Sequence, residues 1–62
     1  MQVGTPVKFI DMQNGDFITV VGLVTEVYTK TWFMVTWFDG KKSEVDTYYS
    51  YWDTLEVLEV TT

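Results

Sequence analysis

Apolar and polar positions along this chain fall into short alternating runs, and most runs stop at a turn-forming pair. Residues 3–11 form the first run, with Val7, Phe9 and Val3 on one side of an extended strand and Lys8 on the other. Pro6 lies near its start, where a missing backbone donor is tolerated. Asn14-Gly15, inside a turn over 12–16, signals a hairpin because both residues tolerate positive φ. Residues 17–28 are too long and too evenly apolar for one flat strand. Gly22 near their middle predicts a bend or bulge where the strand passes from one sheet into the next. A short connection, 29–31, leads into seven uncharged residues, 32–38, that stop at Asp39-Gly40. Phe33, Val35 and Trp37 share one side of that strand and Trp32, Met34, Thr36 and Phe38 the other, so both sides are apolar. Residues 39–42 make the second hairpin turn. A fourth strand over 43–49 sets Val45, Thr47 and Tyr49 against Glu44, Asp46 and Tyr48. Residues 50–54 read as one tight helical turn with Ser50 and Asp53 as side-chain caps. Residues 55–60 read as a closing strand before a frayed end at Thr61 and Thr62.

Five strands with one helical turn before the last predict an all-β fold, a small closed barrel occupying residues 1–62 as a single domain. Composition agrees: valine, threonine and isoleucine supply 22 of 62 residues, leucine only three, and nothing repeats at helical spacing. Such a chain is near the lower size limit for a single core, and without cysteine no disulfide reinforces it. The net charge of −5 disfavours non-specific binding to nucleic acid or anionic membrane. No basic segment followed by an apolar run marks a signal peptide, and no apolar segment reaches membrane-spanning length. The expected location is cytoplasmic, the host cytoplasm if the chain is viral.

Candidate chemistry is sparse. Histidine and cysteine are both absent, which removes the usual general base and the thiolate nucleophile. Ser43 and Ser50 have no visible base, and no glycine-rich phosphate loop exists. Neither an enzyme nor a bound cofactor is expected. Asp39, Glu44 and Asp46 could gather around one hairpin and hold a divalent cation weakly. The plainer reading is solvated charge beside Lys41 and Lys42, with Asp11 and Asp16 alike, and no metal site is expected.

The eleven aromatic residues carry more information. Phe33, Val35, Trp37 and Tyr49 are expected to fill the core. Trp32, Met34 and Phe38 are not so easily placed. Burying a large apolar side chain is worth roughly 1.5–3 kcal/mol, so leaving three wet forgoes roughly 5–8 kcal/mol, comparable to the stability of a small domain. Either the barrel tucks them under residues 48–52 or another chain covers them. The expected contact surface is Trp32, Met34, Phe38, Tyr48 and Trp52, facing a second copy or another protein. Single-stranded nucleic acid is the competing partner. It would stack on Tyr48, Tyr51 and Trp52 and meet Lys30, Lys41 and Lys42, with a ring of chains concentrating those lysines. The acidic balance and the absence of arginine weigh against it.

Four segments, 3–9, 22–27, 34–40 and 53–58, resemble small SH3-like barrels of the KOW and Tudor type. The shared features are Gly22-Leu23-Val24-Thr25-Glu26-Val27, the Val35-Thr36-Trp37-Phe38-Asp39-Gly40 hairpin, and a closing Asp53-Thr54-Leu55-Glu56-Val57-Leu58. Copies of this length resemble accessory proteins of tailed bacteriophages, cyanophages in particular. The resemblance implies a five-stranded SH3-like barrel; such barrels host many unrelated roles. Two departures from the pattern stand out. KOW domains that contact nucleic acid use basic loops, whereas only Lys41 and Lys42 are adjacent here, beside Asp39 and Glu44. Tudor domains that read methylated side chains cage them in aromatic loops, but 12–16 and 39–43 contain no aromatic residue and only Phe17 and Phe38 flank them.

Overall fold

A computed structural model describes residues 2–58. Strands β1 (Pro6–Gln13), β2 (Asp16–Val27), β3 (Trp32–Trp37), β4 (Lys42–Asp46) and β5 (Glu56–Val57) form one antiparallel sheet in the order β4-β3-β2-β1-β5. A 3-10 turn, Ser50–Trp52, precedes β5, and the domain is all-β as expected. The sheet is open: among the described residues no ladder joins β4 to β5, so the expected barrel is not closed by hydrogen bonds. Among the described residues no helix is long and apolar enough to cross a membrane.

Both hairpins follow from local chemistry. Asn14 (φ 52°) and Gly15 (φ 83°) form a two-residue turn between paired Gln13 and Asp16, and two positive φ values match the right-handed twist of the strands. At the second hairpin Gly40 (φ 88°) lets its N–H reach the Trp37 carbonyl at 2.9 Å, while the Trp37 N–H donates to the Lys41 carbonyl at 2.7 Å. Phe38 then leaves β3, its N–H donating to the Val21 carbonyl at 2.9 Å.

Alternation decides the core. Val7 and Phe9 of β1, Val24 of β2, Phe33 and Val35 of β3, and Val45 of β4 are buried on the inner face. Each such burial contributes roughly 1.5–3 kcal/mol. The 3-10 turn brings Trp52 onto this face, 4.9 Å between ring centroids from Phe9, and nearly parallel to Trp37 at 6.5 Å. Trp37 anchors its own indole by donating to Ser43 Oγ at 2.8 Å.

Several expectations are corrected. β1 begins at Pro6, and Val3 is 67% exposed, because the N–H of Gly4 (φ 91°) bonds to the Val24 carbonyl at 2.7 Å and turns the chain ahead of the strand. β4 stops at Asp46, whose side chain accepts from the Tyr48 N–H and whose carbonyl accepts from the Tyr49 N–H, so the chain turns there. Tyr49 is consequently 62% exposed and not core. The 3-10 turn has no side-chain cap; the Asp53 N–H donates to the Ser50 carbonyl instead. Gly22 is not the bulge, which falls between Val24 and Glu26. The expected strand end at Val60 and the residues Thr61 and Thr62 lie outside the described residues.

Candidate interaction surface

The outer face is built by the residues between the core positions. Pro6, Lys8, Ile10 and Met12 alternate with buried Val7 and Phe9 on β1, and Phe17, Thr19, Val21 and Leu23 run antiparallel to them on β2. The bulge changes the parity of β2: Val24 pairs with Val35, Glu26 with Met34, and Thr25 is the extra residue. Thr25 and Glu26 therefore both face outward, and Thr25 meets Thr36, hydroxyl to hydroxyl, at 3.2 Å. Pro6, Val21, Leu23, Thr25, Thr36 and Phe38 line a shallow, mostly apolar groove of about 380 Å³. Phe38 stands at its rim, 91% exposed. Beyond the groove the apolar surface continues over Ile10, Met12 and Phe17, all exposed.

The five expected contact residues are not one patch. Trp32 and Met34 lie outward, but Trp32 packs against Tyr28, the rings tilted by 47° with centroids 4.8 Å apart, and donates through Nε1 to Glu44 Oε1 at 2.7 Å. Met34 is half-buried between its cross-strand neighbours Glu26 and Glu44. Phe38 belongs to the groove. Tyr48 is exposed in the turn after β4, edge-on to Tyr49 at 5.9 Å. Trp52 is half-buried on the inner face against Phe9. Residues 48–52 thus do not cover Trp32, Met34 and Phe38, because the 3-10 turn packs on the opposite side of the sheet.

The residues offered to nucleic acid are equally divided. Lys30 lies in the β2–β3 connection, at the other end of β3 from Lys41 and Lys42. Lys41 Nζ sits 4.0 Å from Asp39 Oδ2, and Tyr51 packs on Phe9 at 5.5 Å. Asp39, Glu44 and Asp46 do not gather: each accepts a separate hydrogen bond, from the Lys41 N–H, Trp32 Nε1 and the Tyr48 N–H. Among the described residues no group of three acidic side chains could hold a metal ion.

Acidic neighbours do perturb one group. Tyr28 donates to Glu26 Oε2 at 2.7 Å. That bond first, then desolvation, then the negative charges of Glu26 and Glu44, raise its phenol above the ordinary 10.0. The raised value means the neutral phenol is favoured by folding. Its contribution to stability is present below pH 10 and is lost as pH rises through the folded value. In an ultraviolet titration Tyr28 should ionise above the ordinary 10.0, and Glu26→Gln should bring its ionisation down by removing the first of these causes. A Tyr28 titration that Glu26→Gln leaves unchanged would contradict the contact.

Comparisons of the chain with protein-family models, curated proteins and solved structures find no match. The surface must be read from its own geometry. Val21, Leu23, Ile10, Met12 and Phe17 were missed in the sequence, although the signal was there. Once Lys8 is outward, period two places Ile10 and Met12 beside it. Residues 17–28 hid their parity because apolar side chains occupy both faces before the bulge.

Proposed function

We propose that this chain is a non-enzymatic interaction module of SH3-like build that self-associates and binds protein partners through its outer sheet face. The single observation that carries this is Phe38, 91% exposed at the rim of an apolar groove in a domain too small to leave such surface without cost. The SH3-like reading is supported by five antiparallel strands, β5 beside β1, and a 3-10 turn immediately before β5. A tailed-phage setting and a cytoplasmic location rest on the motif resemblance and the composition. The partner is a second copy or another protein, because the contact is apolar and the four lysines do not form one basic surface.

Phe38→Asp tests the reading. Phe38 is outside the core, and the hydrogen bond it makes is through its backbone, so the substituted chain should melt like the parent. Self-association measured by sedimentation equilibrium should weaken by about tenfold or more, since loss of one buried phenylalanine exceeds roughly 1.4 kcal/mol. A parent chain that stays strictly monomeric at high micromolar concentration would remove the self-association claim.

A further inference from the structure

The geometry points to β4 as a seam between two copies, paired antiparallel about Ser43 with Lys42 of each opposite Glu44 of the other. This inference rests on the self-association proposed above and gives it a second contact, at the sheet edge and separate from the Phe38 groove. The Trp37 N–H to Lys41 carbonyl bond and the Thr47 N–H to Thr31 carbonyl bond bracket the β3–β4 ladder and fix its parity. Bonds to β3 then fall at the odd residues of β4, and the backbone N–H and C=O of Lys42 and Glu44 point off the sheet. Among the described residues those four groups have no hydrogen-bond partner. Asp46 differs, because its carbonyl already accepts from the Tyr49 N–H at 3.1 Å.

β4 carries no proline and no bulge over Lys42-Ser43-Glu44-Val45-Asp46, and the charges that commonly blunt such an edge are here of both signs, so two copies of the strand can match them. Lys42 and Glu44 share the outer face and are opposite in sign. A two-fold pair of such edges has few registers, since outer must meet outer and bonded residues must be even-numbered. Centring on Glu44 sets two glutamates against each other and calls on the occupied Asp46 carbonyl. Centring on residue 42 sets lysine against lysine. Centring on Ser43 places Lys42 opposite Glu44 twice, and each of those pairs exchanges both its N–H···O bonds. That register alone matches charge and hydrogen bonding together. It also joins the two outer faces side by side and leaves both Phe38 grooves open.

Charge exchange tests the seam. Lys42→Glu and Glu44→Lys should each weaken dimerisation about tenfold or more in sedimentation equilibrium, because each creates two like-charge pairs. The double variant should return to within about threefold of the parent, although it still lacks the Trp32 bond to Glu44. Thermal melts check that all three variants fold. As a register probe, Ser43→Cys should give an oxidised dimer and Glu44→Cys should not, because a non-hydrogen-bonded pair at about 4.5 Å suits a disulfide on the two-fold. Single variants without effect, or a double variant no better than the singles, would overturn the seam. If Phe38→Asp still dissociates the parent in that case, the outer-face reading survives alone. A parent chain that never associates overturns both.

Discussion

Phe33→Ala is expected to leave most of the chain unfolded at 25 °C. Phe33 is fully buried at the centre of the inner face, opposite Val27 on β2 and Val45 on β4. Deleting its ring removes about 3–5 kcal/mol through lost transfer energy and an unfilled cavity. A single core in a chain this short rarely supplies more than about 3–5 kcal/mol, and without cysteine no disulfide supplements it. Far-UV circular dichroism with urea titration measures the effect. Phe33→Leu, which keeps most of the volume, should stay folded at a cost of about 1–1.5 kcal/mol. A cooperative Phe33→Ala melt within a few degrees of the parent would mean the ring is not at the centre of the core.

Gly22→Ala should be nearly as damaging, for the opposite reason. Gly22 lies in one cross-strand row with Val7 and Trp37. A Cβ there would stand 2.7 Å from Val35 Cγ1, 2.8 Å from the Thr36 carbonyl oxygen and 2.9 Å from Trp37 Cε3. Neither the ladder oxygen nor an indole held by Ser43 and Trp52 can retreat cheaply. Overpacking of this kind costs about 1–3 kcal/mol, and the upper end applies because three neighbours collide at once. The melting temperature should fall by on the order of 10 °C or more. Trp37 fluorescence should shift with it, since the indole is displaced from its seat. A Gly22→Ala chain as stable as the parent would show that Trp37 does not lie over the glycine.

These two positions also show where sequence reasoning stops. Phe33 and Val35 were legible as core because strand alternation needs only the identity and spacing of neighbours. Asn14-Gly15 and Asp39-Gly40 were legible as turns because positive φ is a property of the residue itself. Gly22 was read as a bend because glycine announces an unusual backbone or a close approach without saying which. The answer required knowing that Trp37 sits across from it. Tyr49 was assigned to the core by parity, which assumed β4 continued past Asp46; side-chain and backbone bonds at Asp46 end it first.

The contact surface divides in the same way. Trp32 and Phe38 both lie outward, yet one is packed against Tyr28 and hydrogen-bonded while the other stands free. Only the bulge at Thr25 separates them, by realigning Glu26 and Tyr28 along the Trp32 end of β3 and leaving Val21 and Leu23 at the Phe38 end. The amino-acid sequence by itself determined the all-β class, the two hairpins and the inner face of β3, since each follows from interactions within a few residues. Tertiary structure alone decided that the sheet is open, that Trp52 closes over the inner face, and that Phe38 with Val21 and Leu23 makes the exposed groove. Those outcomes depend on strand register and on contacts between residues far apart in the chain, which no local pattern encodes.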